Sequence, residues 1–224
     1  MGYGEVGKAL HSIVGGEVQD PDKGFRTTKK GEVLNVCIPY TERFVQIVQE
    51  AIEMYEPTLT IIHSTVPVGT TRKLGNVAYS FTRGKHPNMT EMIKYIKHIG
   101  AVDPKIALQA QSYLESFWFQ TMIHYTPESV EFGKLFDTTY YGVCIALIKE
   151  AKGWADHYGV DWSNIETINR TYNMGVSAAG HPEFARPDLI PTEGKIGGHC
   201  VRENSIILQK DFESKLLEAI VEAK

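Results

Sequence analysis

The chain is poor in cysteine. Cys37, Cys144 and Cys200 are the only three in 224 residues, odd in number and far apart. That excludes a disulfide framework and paired C-x-x-C zinc ligands, so no metal centre is expected and the cytoplasm is the expected compartment. No apolar run is long enough to span a bilayer, and no membrane partner is expected. Basic residues are not in excess either: 23 Lys and Arg against 27 Asp and Glu leave a net charge of −4 with no basic stripe, which speaks against a nucleic-acid partner. Internal repeats and low-complexity tracts are also missing. What remains is a globular composition, 42% hydrophobic, ample for one large domain or two small ones.

Among the features present, Gly2-Tyr3-Gly4-Glu5-Val6-Gly7 fits G-x-G-x-x-G. In that motif the first glycine makes a tight turn, the second lets backbone approach a pyrophosphate, and the third permits close helix packing. Lys8-Ala9-Leu10 continues into a predicted helix, and Gly16 to Asp20 reads as a short strand ending in a carboxylate. Asp20 lies 18 residues beyond Gly2, near the spacing at which an acidic residue holds both ribose hydroxyls. A 2′-phosphate would meet a like charge there, so the expected cofactor is NAD, held by Gly2, Gly4, Glu5, Val6, Gly7 and Asp20. Only Met1 precedes the turn, where a doubly wound sheet has its central strand. The expectation is that this first strand is missing and that the chain is a shortened form of a longer protein.

Short apolar runs then alternate with helical patterns, the mark of a parallel α/β sheet. Strands are predicted at Val33 to Pro39, Thr58 to His63, Gly100 to Val102 and Gln120 to Tyr125, with helices over Glu42 to Tyr55 and Pro104 to Trp118. Ligands gather beyond the carboxyl ends of such strands, which brings Pro39 and Thr65 into the candidate cofactor site. Residues 1–126 are therefore read as a dinucleotide-binding domain. Residues 127–224 change character. Phe132, Phe136, Tyr140, Val143, Leu147, Ala151 and Trp154 recur every three or four residues and predict one long helix, followed by a second from Asp161 to about Gly175 and a last one from about Asn204 to Glu222. Glu131, Lys134 and Thr138 share another face of the long helix, a pattern that alone is ordinary for a solvated surface. A Pro/Gly-rich loop, Asp188 to His199, leads to Cys200 through Gly197-Gly198-His199.

Taken in order, the glycine turn, Ser64-Thr65-Val66-Pro67-Val68-Gly69, Glu131-Phe132-Gly133-Lys134 and Gly197-Gly198-His199-Cys200 resemble the segments of the UDP-glucose/GDP-mannose dehydrogenase family of nucleotide-sugar dehydrogenases. The resemblance covers nearly all of this chain and the first half or so of a family member. It implies a Rossmann-like NAD-binding domain, a long connecting helix that builds a homodimer, and NAD-dependent oxidation of a sugar alcohol through a covalent step on cysteine. On that basis Cys200 is the nucleophile, Lys134 a cation near the developing oxyanion, and Thr65 a hydroxyl that orients water or substrate. Lysine and a glycine-rich turn are the surroundings that lower a thiol pKa, and a lysine beside an alkoxide stabilises it electrostatically. The chain also departs from the family pattern. Asn204 stands where the family has aspartate, Glu203 where lysine is usual, Thr138 where it has asparagine, and Phe81-Thr82 where it has Pro-Glu. Asn204 is carried as a catalytic candidate at its altered position. Two other readings stay open: a hydroxyacid-type dehydrogenase that uses Lys134 as a proton relay, and a non-catalytic NAD-binding dimerisation protein.

Overall fold

A computed structural model describes residues 1–85, 88–197 and 200–223. The chain divides into two units, Met1–Lys134 and Leu135–Lys224. The first is built on a five-stranded sheet in the order β1-β2-β3-β4-β5, with β1 at Val33–Val36, β2 at Leu59–Ile62, β3 at Ala78–Tyr79, β4 at Lys97–Ala101 and β5 at Thr121–Ile123. Its helices are α1 (Glu5–Val14), α2 (Phe44–Tyr55), the short α3 (Thr70–Leu74) and α4 (Pro104–Glu115). The sheet is covered on both faces, as a doubly wound fold requires. Side chains alternate along a strand, so Ile61 joins a core with Leu10, Ala107, Ala110 and Leu114, while Ile62 joins one with Val36, Phe44, Val48 and Tyr79. Full burial of each such aliphatic side chain is worth about 1.5–3 kcal/mol.

The expected α/β fold is present, with specific corrections. Strands β1, β2 and β3 pair in parallel, as do β4 and β5, but β3 and β4 are antiparallel, with Tyr79 opposite Gly100. Glu17 to Asp20 forms no strand beyond a single Asp20–Phe25 bridge, because Pro21 starts a tight turn that Gly24 closes in the left-handed region at φ 79°. Met1 and Gly2 lie between that segment and the end of β1. Gly2 N–H donates to the Gln19 carbonyl at 2.8 Å, the Cys37 N–H donates to the Met1 carbonyl at 2.8 Å, and the Met1 ammonium donates to the Asn35 carbonyl at 2.7 Å.

Helix α5 runs from Pro127 to His157, 31 residues as one piece, and the boundary between the units falls within it. Its first turns pack with the sheet. A Cβ on Gly100 would come within 2.6 Å of the Pro127 Cα, so only glycine permits that approach. The second unit contains the rest of α5, α6 (Trp162–Ala178), α7 (Val201–Gln209) and α8 (Lys215–Glu222). The Asp161 carboxylate caps α6 by accepting from the Ser163 N–H at 2.9 Å. The single last helix expected from Asn204 to Glu222 is instead two. The backbone turns extended at Ser214, with φ −148° and ψ 125°, and α8 starts afresh behind it. A small core of Leu135, Leu208 and Leu217 joins α5, α7 and α8, and Gly142 lets Val201 and Ile220 close on α5. No helix among the described residues is long and apolar enough to cross a membrane.

Candidate functional site

The glycine turn is built as its spacing predicts. Gly2 has φ 85°, and a Cβ there would sit 2.7 Å from the Cys37 carbonyl oxygen. Gly7 is more confined still, since its Cβ would lie 2.0 Å from the Gly2 carbonyl oxygen, so α1 rests directly on the turn. Gly4 is the opposite case: nothing lies within 4 Å of the position its Cβ would take, and a ligand can approach the backbone there. Gly4 stands at the N-cap of α1 with no side-chain cap, and the backbone N–H groups of a helix's first turn lie beyond the reach of intrahelical acceptors. That is an anion-binding arrangement. Asp20 is at the same turn, its carboxylate accepting the Tyr3 N–H at 2.7 Å, and Tyr3 is further fixed by Lys23, which donates to its carbonyl, and by an edge-on contact with Phe25. A carboxylate accepts several hydrogen bonds, so Asp20 has capacity for a ribose hydroxyl as well. The residues present therefore fit a dinucleotide.

Pro39 and Thr65 follow β1 and β2, two adjacent parallel strands, and both therefore stand at the carboxyl edge of the sheet. A cavity of about 450 Å³ also adjoins the turn, but of the candidate cofactor residues only Gly2 and Gly7 line it. Leu10, Asn35, Cys37 and Tyr113 are also among its lining residues.

Two residues of the E-x-x-K pattern are buried at the start of α5. Glu131, fully buried, accepts the Gly69 N–H at 2.6 Å, the Thr71 N–H at 2.7 Å and the Thr71 hydroxyl at 2.6 Å, tying the segment after β2 to α5. Burial raises its carboxyl above the ordinary range, against those three donors. Glu131 is thus a structural anchor, not part of a solvated face. Lys134 is 9% exposed and donates to the Thr82 carbonyl at 3.3 Å, with its ammonium 5.6 Å from the centre of the Phe81 ring.

A further group of buried polar residues escapes a reading of the sequence. Lys97, the first residue of β4, is 1% exposed, and its Nζ donates to the Ser80 and Phe81 carbonyls at 2.9 and 2.8 Å and to the Thr82 hydroxyl at 3.2 Å. His63 lies 3.2 Å away through Nδ1 and reaches Asn35 through Nε2. Burial, then the Lys97 charge, keeps this imidazole well below its ordinary pKa and hence neutral. The available signal was His63 alone, at the end of a run that otherwise reads as buried strand; Lys97 lies outside the strand predicted from Gly100.

In the second unit, Cys200 is half-buried immediately before α7. Asn204, 4% exposed on α7, donates through its amide to the Thr138 hydroxyl on α5 at 2.9 Å. Gly198 and His199 of the cysteine loop lie outside the described residues. Cys37, by contrast, is packed at the end of β1, where burial pushes its thiol up to about 11. Among the described residues no cluster of metal-ligating side chains is present.

No family model matches the chain. It is 28% identical over 94% of its length to a UDP-N-acetyl-D-mannosamine dehydrogenase of Methanocaldococcus jannaschii, covering 52% of that protein. In structure it is similar to a UDP-D-ManNAc dehydrogenase from Pyrococcus horikoshii, with a TM-score of 0.72 at 21% identity over 87% of this chain and 50% of that one. It is also similar to a Mycobacterium tuberculosis 3-hydroxyisobutyrate dehydrogenase, with a TM-score of 0.70 at 13% identity over 99% of this chain and 89% of that one, a likeness of fold. The chain spans about half the length of the curated relatives it matches. The sequence relatives bear out, over most of the chain, the resemblance to the nucleotide-sugar dehydrogenase family, and the solved structures bear out the fold.

Proposed function

We propose that the chain carries the NAD-binding and catalytic-cysteine portion of a nucleotide-sugar dehydrogenase, acting in the cytoplasm. The observation that carries this reading is the glycine turn, closed at Gly2 and Gly7, open at Gly4 and flanked by the Asp20 carboxylate. Gly2, Gly4, Glu5, Val6, Gly7 and Asp20 would hold the dinucleotide, with Pro39 and Thr65 at the strand ends beside it. Bound there, NAD would take up the hydride lost from the carbinol carbon in each two-electron oxidation. Cys200 would add as thiolate to the aldehyde carbon, forming a thiohemiacetal and, after the second oxidation, a thioester. Lys134 would hold positive charge near the developing oxyanion, where an ammonium stabilises it without a proton transfer. Thr65 would orient water or substrate, and Asn204 would occupy the place from which a carboxylate otherwise assists hydrolysis.

Partners follow the same reading: a nucleotide-sugar substrate and a second copy of the chain. Phe136, Tyr140, Leu147 and Trp154 on α5 are each more than half exposed in the single chain. Apolar surface on that scale marks an association face, and a two-fold homodimer through α5 would cover it. Tyr140→Glu would then produce monomers in sedimentation, whereas a wild-type monomer at micromolar concentration would remove the dimer.

The direct test is NADH formation with UDP-N-acetyl-D-mannosamine or UDP-glucose. Retained activity on a small hydroxyacid after Cys200→Ser would favour the hydroxyacid-type reading. NAD binding without turnover on any polar alcohol would leave the non-catalytic one.

A further inference from the structure

Lys97 is an anomaly of the first unit. A lysine is expected at the surface, yet this one is enclosed at the head of β4, and its ammonium is matched to three acceptors drawn from three consecutive residues, Ser80, Phe81 and Thr82. The same segment meets Lys134 from the other side, through the Thr82 carbonyl. Two amines on distant parts of the chain thus grip one stretch of backbone, one by the Thr82 hydroxyl and the other by its carbonyl. We infer that Lys97 is a positioning residue for Lys134: it fixes the 80–82 segment so that the Thr82 carbonyl meets the Lys134 ammonium, and the two amines respond to each other's charge. This inference rests on the proposed role of Lys134 for its functional meaning, though not for its physical content.

The surroundings of Lys97 support a group that changes state near neutrality. Burial first, and the Lys134 ammonium as well, bring its pKa down from 10.5 to about 7. The titratable groups around it among the described residues are His63 after β2, which is neutral, Cys37 after β1, which is held as a thiol, and Lys134 on α5. Charged Lys97 must donate to the Thr82 oxygen; as a neutral amine it can accept the Thr82 hydroxyl proton instead. The change reverses one hydrogen bond within the residue that holds Lys134. Because the interaction between two charges is mutual, protonation of Lys97 lowers the proton affinity of Lys134 by as much as the reverse.

The test is an NMR titration of the whole chain labelled with ¹³Cε-lysine, with resonances assigned by Lys97→Arg and Lys134→Arg. In the wild type the Lys97 resonance should titrate near pH 7, and the Lys134 resonance should show a step at the same midpoint. Lys97→Met should remove that step, because the charge that produces it is gone. An unchanged Lys134 titration in Lys97→Met overturns the inference. If Lys97→Met does not fold, the wild-type trace decides alone, since a Lys134 resonance without a step where Lys97 titrates is equally fatal. Turnover is not read in this experiment, so inactivity toward nucleotide sugars would refute the functional proposal and leave the coupling standing.

Discussion

The Asn204 amide donates to the Thr138 hydroxyl across 2.9 Å, joining two of the positions at which this chain departs from the nucleotide-sugar dehydrogenase pattern. The Thr138 hydroxyl in turn donates to the Leu135 carbonyl at 3.1 Å, so the pair is a closed chain of donor to acceptor.

Asn204→Asp tests that pairing. A carboxylate at this buried position must take the Thr138 proton away from the Leu135 carbonyl, and the variant should be about 1–3 kcal/mol less stable at pH 7 in denaturant melts. If the missing carboxylate limits thioester hydrolysis, turnover measured as NADH formation should rise, and Thr138→Asn on top of it should recover stability. Undiminished stability with unchanged turnover would show the pair to be irrelevant to both.

Asp20→Ala should weaken NAD by about 1–3 kcal/mol, the scale of charge-assisted hydrogen bonds, and NADP much less. Part of the loss will come through Tyr3, whose N–H donates to that carboxylate. Titrations with both cofactors separate the contributions; equal losses would remove the ribose assignment.

Cysteine chemistry should be confined to one residue. Cys200→Ser is expected to abolish net oxidation with NAD affinity intact. Cys37, whose thiol is pushed up to about 11, should stay unlabelled by iodoacetamide at pH 8, and Cys37→Ser should act on stability alone. Wild-type NADH production by Cys200→Ser would end the covalent mechanism.

Stability should carry a signature of Lys97. Its pKa in the folded chain, about 7, lies below the ordinary 10.5, so between these limits the unfolded chain binds a proton that the folded one does not. This group's contribution is then least favourable below pH 7 and improves as pH rises, by at most about 1.4 kcal/mol per unit. Wild type should therefore gain stability relative to Lys97→Met between pH 7 and 9, so that a deficit of the variant widens and any excess shrinks. Parallel pH dependences in urea melts of the two proteins would contradict this.

The parts legible in the sequence were those with continuous apolar signal. Val33 to Val36 and Leu59 to Ile62 are strands because β-branched and aliphatic residues fill both faces, and α5 declares itself by a stripe repeated along its length. Short elements gave no such signal. β3 has only two residues, and β4 begins three residues earlier than Gly100 suggests because Lys97 and His98 do not look like strand interior. In the candidate site the glycine roles could be read from spacing, since steric demand is local. The Lys97 cluster could not, because two of its three acceptors are carbonyls, which any residue supplies, and the antiparallel β3–β4 pairing that brings them to Lys97 is tertiary. Glu131 was visible as part of a motif but misread in kind, as its three donors lie 60 or more residues away.

The reversal between β3 and β4 has a consequence for where this fold can recruit chemistry. In an all-parallel sheet the opening residue of every strand lies at the edge remote from ligands, and evolution can draw only on strand exits and the loops beyond them. Turning β4 and β5 around delivers the entrance of β4 to the rim at which β1, β2 and β3 end. With Tyr79 opposite Gly100, the head of β4 runs alongside the residues that leave β3, and a side chain from the start of a strand gains a seat beside them. Lys97 is that side chain, and it meets Ser80, Phe81 and Thr82 where an all-parallel sheet would bring only the loop beyond a strand exit.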